Sequence, residues 1–239
     1  MSSTLVLIGP PGSGKSTIAA ELGRSINLTT IATGKRLRDE IASGSPIGLE
    51  IEPLLEKGHF APDSLMDRLM REWLAQVPPE TLVLLDGYPR STHQALALEK
   101  MLADLDRPLR LVIALEVDDA TLVQRLSGRR ICESGSEPFI LHIDDQEAVA
   151  RCTTMGGSLV QRDDDQPAVI TERLAVYGRE TEPLIELYGH NGLLRPVDAQ
   201  GTPAEVAARV SVLLAALTTS APSAPPALRS SLADLEGEQ

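Results

Sequence analysis

Short apolar runs alternate along the chain with stretches whose apolar residues recur at a helical spacing. Residues 5–8, 82–85 and 111–115 are wholly apolar, as expected of parallel strands that are buried on both faces. Apolar side chains between residues 65 and 77, and again between 206 and 217, have the spacing of amphipathic helices. This alternation predicts an α/β fold, in which a parallel β-sheet core is flanked by helices.

Two segments interrupt the alternation and are predicted to be insertions at the edge of the sheet where ligands bind. The first insertion (residues 32–61) is rich in polar and small residues, and the second insertion (residues 128–163) is rich in glycine, serine and acidic residues. The core of the domain is then formed by the remaining segments, which are 1–31, 62–127 and 164–217. Residues 218–239 begin with a low-complexity, proline-rich stretch and are predicted to be a disordered tail.

Composition and charge narrow the class of protein. The chain has 239 residues, 42% of them hydrophobic, which is enough for an ordinary core and excludes a disordered chain. Its two cysteines cannot build a disulfide scaffold, which favours a reducing, cytoplasmic compartment. Cys132 and Cys152 could pair under oxidation, but such a compartment favours unpaired thiols. The formal net charge of −12 argues against a nucleic-acid-binding protein. Neither a signal peptide nor an apolar run of about 20 residues, as needed to span a membrane, is found in the sequence.

The strand predicted at residues 5–8 leads into a phosphate-binding motif. Residues 9–16 read GPPGSGKS, which matches G-x-x-x-x-G-K-[ST] at every defined position and precedes a helical stretch. In this motif the backbone N–H groups of the loop surround a phosphate at the N-terminus of a helix. Lys15 supplies a positive charge to the β- and γ-phosphates, and Ser16 can offer its hydroxyl to Mg²⁺. The alternative is a glycine-rich turn without a ligand, but the lysine and the strand–helix context favour a nucleoside triphosphate.

A second group of candidate residues follows the strand predicted at residues 82–85. Residues 86–90 read DGYPR, and Gln94 lies four positions beyond Arg90. The carboxylate of Asp86, at the end of a buried strand beside a phosphate loop, is placed to hold Mg²⁺ directly or through water. Ser91 and Gln94 also have the spacing of a helix capping box, so Gln94 is either a ligand-binding residue or part of a helix start.

Together these motifs resemble those of the adenylate kinase family. They are the phosphate loop, ATG at 32–34, DGYPR at 86–90 with Gln94, GRR at 128–130 and QRDDD at 161–165, in the order and at the spacings of that family. The resemblance covers residues 4–217. It implies a P-loop NTPase fold and an ATP:AMP phosphotransferase that converts MgATP and AMP reversibly into two ADP. It also implies that the first insertion binds AMP and that the second insertion closes over ATP as a lid.

The resemblance further implies roles for individual residues. The implied catalytic cations are Lys15, Arg90, Arg125, Arg129, Arg162 and Arg173. The implied ATP-binding residues are Gly12, Ser13, Gly14, Lys15, Ser16, Thr17, Arg125, Arg129, Phe139 and Gly201. The implied AMP-binding residues are Thr33, Arg38, His59, Phe60, Ala61, Gly87, Arg90, Gln94, Arg162 and Arg173. Ser16 and Asp86 would hold Mg²⁺, directly or through water, and the Tyr88–Pro89 peptide bond would be cis.

The chain departs from the family pattern in both insertions and in the loop. Ser16 stands where the family usually has glycine, and Lys35 stands where it has aspartate. Where many bacterial relatives have four zinc-binding cysteines, the second insertion has Cys132, Gly135, Cys152 and Met155. Two thiolates do not complete a tetrahedral site, so no structural zinc is expected. Most of the acidic residues between 133 and 165 are expected to form a solvated outer face.

The sequence leaves three functions to be weighed. Thr33, Gln94 and the length of the second insertion favour adenine as the acceptor base, and therefore an adenylate kinase. Ser16 and Lys35 leave open another nucleoside monophosphate kinase, of the UMP/CMP type, with altered specificity. The unusual residues of the second insertion leave open a nucleotide-sensing module that binds ATP and AMP but turns over little. A monomer is implied, and neither nucleic acid nor a membrane is expected as a partner.

Overall fold

A parallel sheet of five strands forms the centre of the protein. A computed structural model describes residues 3–134 and 138–219. In the numbering of all strands along the chain, those of the central sheet are β1 (Ser3–Ile8), β2 (Leu28–Ala32), β3 (Leu82–Asp86), β4 (Leu109–Glu116) and β8 (Leu194–Asp198). Their order across the sheet is β2-β3-β1-β4-β8, and every neighbouring pair is parallel. The predicted parallel sheet is confirmed.

Helices cover both faces of this sheet, and each face carries its own apolar cluster. The helices that pack on the sheet are α1 (Lys15–Ser25), α4 (Asp63–Ala75), α5 (Thr92–Asp104), α9 (Pro183–His190) and α10 (Pro203–Thr219). Two further helices, α6 (Asp119–Gly128) and α8 (Pro167–Val176), contact each other. Val6 and Ile8 of β1 pack with α4, α5 and α9, whereas Leu5 and Leu7 pack with α1 and α10. Because β1 is buried on both faces, the phosphate loop that follows it begins from a fixed position between the two layers.

The sequence predicts β1, β3 and β4 but misses β2 and β8. The predicted strands contain the wholly apolar runs that mark strands with two buried faces. The two missed strands contain polar residues or proline, namely Thr29 and Thr30 in β2 and Arg195 and Pro196 in β8. Both strands lie at the edges of the sheet, where such residues are tolerated. The two helices predicted from apolar spacing are α4 and α10.

The two insertions fold differently from each other. The first insertion contains α2 (Thr33–Ala42) and α3 (Pro46–Glu56). The second insertion contains β5 (Arg129–Glu133), β6 (Phe139–His142), α7 (Gln146–Thr154) and β7 (Ser158–Val160). Its strands form an antiparallel sheet in the order β6-β5-β7, and α7 covers one face of that sheet.

The two cysteines are joined in a disulfide bond within the second insertion. Cys132 of β5 and Cys152 of α7 are both fully buried, and their Cα atoms are 5.8 Å apart, a separation that a disulfide can span. The expectation that these thiols stay unpaired is wrong, because β5 and α7 bring them together in an apolar cluster that composition does not reveal. Of the other two positions compared with zinc-binding relatives, Met155 is exposed and Gly135 lies outside the described residues.

The last helix is longer than expected. α10 continues to Thr219, so it includes the first two residues of the predicted tail. The rest of that predicted tail, residues 220–239, lies outside the described residues. Within residues 3–134 and 138–219, the helices are too short or too polar to cross a membrane.

A buried arginine stabilises the loop between α4 and β3, and its removal is expected to destabilise the fold. Arg107 is 2% exposed and donates hydrogen bonds to the carbonyl oxygens of Thr81 (2.9 Å), Val77 (2.8 Å) and Pro78. Arg107→Met would leave these buried carbonyls without their donor, so we expect the free energy of unfolding to fall by about 3 kcal/mol. Denaturant unfolding measures this change.

The matched control is Arg71→Met, which removes an exposed arginine that pairs with Asp104 at 3.0 Å. Exposed ion pairs contribute little, so this variant should change the unfolding free energy by less than about 1 kcal/mol. Equal effects of the two substitutions would contradict the structural role given to Arg107.

Candidate active site

The phosphate loop connects β1 to α1 and holds the ammonium group of Lys15 against its own backbone. Gly14, the last residue before α1, has a φ of 94°, in the left-handed region that favours glycine. Lys15 Nζ donates hydrogen bonds to the carbonyl oxygens of Gly9 (2.6 Å) and Pro10 (2.9 Å). The other predicted residues of the loop and the first turn of α1 are Gly12, Ser13, Ser16 and Thr17. The loop therefore lies at a helix N-terminus, where backbone N–H groups favour an anion.

The positive charge of Lys15 is disfavoured by its surroundings. Burial lowers the pKa of Lys15 from its usual 10.5 to about 8. Asp86 acts in the opposite direction and raises this pKa, whereas the guanidinium groups of Arg90, Arg173 and Arg129 lower it. An anion with several negative charges bound beside Lys15 would favour its charged form.

Ser16 and Asp86 bring two oxygen ligands together beside the loop. Leu7 of β1 pairs with Asp86 of β3, so the end of β3 lies next to the start of the loop. Asp86 is buried, and its Oδ2 accepts a hydrogen bond of 2.5 Å from Ser16 Oγ. A hydroxyl and a carboxylate are the oxygen donors that Mg²⁺ prefers, so the pair fits this metal. In the part of the chain that the structure describes, no three His, Cys, Asp or Glu side chains converge as a metal cluster.

Thr33, Gly87 and Arg90 pack together at the end of β3. The buried hydroxyl of Thr33 lies 3.1 Å from the carbonyl oxygen of Asp86 and 3.0 Å from that of Gly87. Arg90 Nε donates to the carbonyl oxygen of Gly87 at 2.7 Å, and the guanidinium lies 4.7 Å from the ring centre of Phe60. Gly87 has a φ of 85°, and a Cβ there would lie 2.6 Å from Thr33 Oγ1. Only glycine fits this contact between the first insertion and β3.

Gln94 forms part of the helix cap of α5, and its side chain makes two further hydrogen bonds. Its backbone N–H donates to Ser91 Oγ at 3.2 Å, which is one half of a capping box. Its side chain is used elsewhere: Oε1 accepts from the backbone N–H of Arg90 at 2.8 Å, and Nε2 donates to Asp63 Oδ1 at 2.6 Å. The Tyr88–Pro89 bond just before Arg90 is cis, as predicted.

Two of the predicted arginines meet at a buried carboxylate. Asp165 is fully buried and accepts hydrogen bonds from Nε (2.7 Å) and Nη2 (2.6 Å) of Arg129. Arg173 Nη1 lies 3.2 Å from Asp165 Oδ1 and 3.1 Å from Asp164 Oδ2. Most of the described acidic residues expected on a solvated outer face are exposed, including Asp163, and Asp165 is the exception, because a 3₁₀ turn directs it inwards. The run of three aspartates carries no signal of which one is buried.

A cluster of cations surrounds the loop and the end of β3. The cations that influence one another electrostatically there are Lys15, Arg38, Arg90, Arg129, Arg162 and Arg173. The carboxylates that influence them are Asp86, Asp164 and Asp165. All six of these cations are among the site residues that the sequence predicts.

The surroundings disfavour the charged form of several guanidinium groups in this cluster. Burial, together with neighbouring arginines, lowers the pKa of Arg90 and of Arg162 to about 10, although nearby aspartates act in the opposite direction. Burial also lowers the pKa values of Arg38 and Arg173. Nε of Arg162 is buried and has no hydrogen-bond partner among the described residues. A polyanionic ligand would give this buried N–H an acceptor and would balance the charge of the surrounding cations.

Three predicted ATP-binding residues, Arg125, Phe139 and Gly201, are not part of this cluster of cations. Arg125 Nη2 donates to the carbonyl oxygens of Ala199 (3.0 Å) and Gly201 (3.4 Å), and so joins α6 to the loop after β8. The ring of Phe139 lies 4.3 Å from the guanidinium of Arg151 on α7, within the second insertion. The cation cluster and these residues thus occupy separate parts of the predicted ATP site.

The remaining predicted residues, His59 and Ala61, and the changed residue Lys35 lie within the first insertion. His59 Nε2 lies 3.5 Å from Glu172 Oε1 on α8, and Ala61 is buried in the apolar cluster that includes α4. Lys35, the basic residue that replaces the family's aspartate, is 70% exposed and pairs with Asp39 one turn along α2 at 3.0 Å. The changed charge at residue 35 is therefore on the outer surface of α2.

A strand–loop–helix phosphate site at one end of a parallel sheet, bordered by arginines that are mostly half-buried, defines a P-loop nucleotide-binding protein. The family model described as Adenylate kinase matches residues 7–193. Similar proteins include the adenylate kinases of Salinispora tropica, 38% identical over 86% of this chain and 94% of the relative, and of Gemmatimonas aurantiaca, 41% identical over 86% and 96%. The adenylate kinase of Methanocella arvoryzae is 39% identical over 87% of this chain and 97% of its own length. The chain belongs to the adenylate kinase family.

Proposed function

We propose that this protein transfers the γ-phosphoryl group of MgATP to AMP and forms two ADP in a reversible reaction. The observation that carries the proposal is the cluster of six cations, which the phosphate loop, both insertions, the end of β3 and α8 contribute. A single triphosphate needs the loop and few further cations. Two phosphate chains held end to end need positive charge on both sides of the transferred group.

The reaction requires positioning more than acid–base chemistry. An oxygen of the AMP phosphate attacks the γ-phosphorus of ATP and forms a new P–O bond. The bond from the γ-phosphorus to the bridging oxygen breaks, and its electron pair leaves with ADP. Because the attacking oxygen is already anionic, no general base is needed, and the protein's task is to align the reactants and stabilise charge.

The ATP side of the site is assigned to the phosphate loop and the second insertion. Residues 12–17 surround the phosphates, and Lys15 contacts the β- and γ-phosphates in place of the loop carbonyls that it now contacts. Arg129 stabilises the transferred group from the second insertion, where Asp165 orients its guanidinium. Arg125, predicted as a catalytic cation, contacts the loop after β8 instead of the cation cluster, so we assign it with Gly201 and Phe139 to the adenosine end of ATP.

The AMP side is assigned to the first insertion and the segment after β3. Arg38, Arg90, Arg162 and Arg173 hold the phosphate of AMP, because planar guanidinium groups bind phosphate oxygens in pairs and stay charged. Its adenosine is assigned to residues that include the 59–61 strip, whose Phe60 ring lies under Arg90. The remaining residues assigned to the adenosine are Thr33, Gly87 and Gln94.

Ser16 and Asp86 are assigned to the magnesium ion that accompanies ATP. Their oxygens are already within hydrogen-bond distance of each other, 2.5 Å, beside the loop. When bound, Mg²⁺ neutralises charge on the β- and γ-phosphates. Asp86 keeps the Ser16 hydroxyl turned towards this position.

The two insertions are proposed to move relative to the core. Residues 32–61 close over AMP and residues 128–163 close over ATP, so that water does not compete with AMP for the phosphoryl group. We further propose that the enzyme is a cytoplasmic monomer without nucleic-acid or membrane partners, although its paired cysteines do not support a reducing compartment. The net charge of −12 supports the absence of a nucleic-acid partner.

A coupled assay of ADP formation tests the proposal with four acceptors. MgATP is supplied with AMP, CMP, UMP or GMP, and we expect rapid turnover with AMP alone. Preference for CMP or UMP would instead assign the chain to the UMP/CMP type. Binding of both ATP and AMP without turnover would contradict the proposal and indicate a nucleotide sensor.

A further inference from the structure

Asp63, the first residue of α4, has no role in the function proposed above, yet it bonds directly to Gln94. Asp63 Oδ1 accepts a hydrogen bond of 2.6 Å from Gln94 Nε2, and Asp63 Oδ2 accepts one of 2.9 Å from the hydroxyl of Ser91. His93 Nδ1 lies 3.5 Å from Asp63 Oδ2. Asp63 therefore joins α4 to the first turn of α5.

The partners of Gln94 leave its side-chain amide only one orientation. A carboxylate can only accept hydrogen bonds, and a backbone N–H can only donate one. Asp63 therefore requires the –NH₂ end of the amide on its side, and the N–H of Arg90 requires the carbonyl end. A flipped amide would place oxygen against carboxylate and –NH₂ against N–H, with both bonds lost.

The fixed amide has one N–H and one oxygen lone pair that these two bonds do not use. In this orientation the amide still has a donor at Nε2 and an acceptor at Oε1 for a base. An adenine ring offers the complementary pair at its N1 acceptor and 6-amino donor. A 6-oxopurine such as hypoxanthine offers an N1–H donor and an O6 acceptor, which match only the flipped amide.

We propose that Asp63 is a positioning residue that holds the amide of Gln94 in the orientation that accepts a 6-aminopurine and rejects a 6-oxopurine. The inference rests on the proposed assignment of Gln94 to the AMP site. Gln94 is 1% exposed, so its side chain has no solvent into which it could turn away from these partners. Selection of the base therefore depends on a carboxylate that acts through Gln94.

The variant that tests this inference is Asp63→Asn, which keeps the size of the side chain. The asparagine amide can either donate or accept, so it no longer opposes the flipped orientation of Gln94. We expect the ratio of kcat/KM for AMP to kcat/KM for IMP to fall by about tenfold, the effect of losing one orienting hydrogen bond. Part of this change is a gain in kcat/KM for IMP.

The matched control is Asp67→Asn, one turn further along α4. Asp67 accepts a hydrogen bond of 2.7 Å from the hydroxyl of Tyr88, and its carboxylate lies 3.6 Å from His93 Nδ1. This variant should leave the AMP to IMP ratio as in the wild type. Thermal unfolding of both variants identifies any general loss of structure, which would lower both kcat/KM values by the same factor.

The outcomes separate the inference from the function on which it rests. A wild-type protein that fails to phosphorylate AMP would overturn the proposed function. A wild-type protein that prefers AMP, together with an unchanged AMP to IMP ratio in Asp63→Asn, would overturn only the role given to Asp63. An equal fall of the ratio in Asp67→Asn would overturn that role too, because the effect would then not depend on the bond to Gln94.

Discussion

Lys15→Met is expected to lower kcat for ADP formation by about a thousandfold, the upper range for the loss of one group that stabilises transition-state charge. Lys15 is the only cation of the cluster that the phosphate loop itself supplies, and methionine keeps much of its length without the charge. The substitution should not lower stability, because burial already disfavours the charged form of Lys15 and holds its pKa near 8. Steady-state kinetics and thermal unfolding of the same preparation measure both effects.

The control for this substitution is Lys35→Met, which removes a lysine that is 70% exposed on α2. Its kcat should stay close to that of the wild type, although the family has the opposite charge at that position. Near-normal turnover of Lys15→Met would contradict the role given to the loop lysine. A large loss in Lys35→Met would mean that the charge at residue 35 acts on the nucleotides despite its exposure.

Opening the Cys132–Cys152 disulfide is expected to destabilise the second insertion by about 3 kcal/mol, the entropy of closing a loop of this length. The bond spans 20 residues and lies between β5 and α7, in a small cluster with Leu141. A cluster with so few apolar residues stabilises a sheet only weakly. The disulfide therefore supplies a large share of the stability of the second insertion. Hydrogen exchange should show lost protection in the amides of β5 and β7 in Cys132→Ser/Cys152→Ser.

The same amides should lose protection when the wild-type protein is treated with a thiol reductant. The double serine variant is the control, because a reductant has no bond to open in it. Amides of β1 and β3 in the central sheet should keep their protection throughout. Unchanged protection of β5 and β7 after reduction, with both thiols shown to be free, would contradict the stabilising role of the disulfide.

The central strands of the fold can be predicted from the sequence, because a strand that is buried on both faces contains an uninterrupted run of apolar residues. β1, β3 and β4 are buried in both layers and consist almost wholly of apolar residues. β2 and β8 at the sheet edges tolerate threonine, arginine and proline, so their residues have no strand pattern. The phosphate loop is also predictable, since its backbone conformation and its charge both depend on residues at fixed spacing.

The residues that support the site are less predictable, because their roles depend on contacts between distant segments. Asp165 is one of three consecutive aspartates, and only the turn that contains them selects it for Arg129. Asp63 lies 31 residues before Gln94, and Cys132 lies 20 residues before Cys152. The resemblance to a family identifies the cations that match its motifs, but it does not reveal the carboxylates that contact them or the disulfide in the second insertion.

The central claim is that one site holds two nucleotides and passes a phosphoryl group directly between them. A single-turnover reaction with ATP labelled in its γ-phosphate and an excess of AMP tests this claim most directly, since the label is followed into each product. We predict that nearly all of the label appears in the β-phosphate of ADP and almost none as inorganic phosphate. Label released mainly as inorganic phosphate, at a rate that AMP does not change, would show transfer to water and contradict the account.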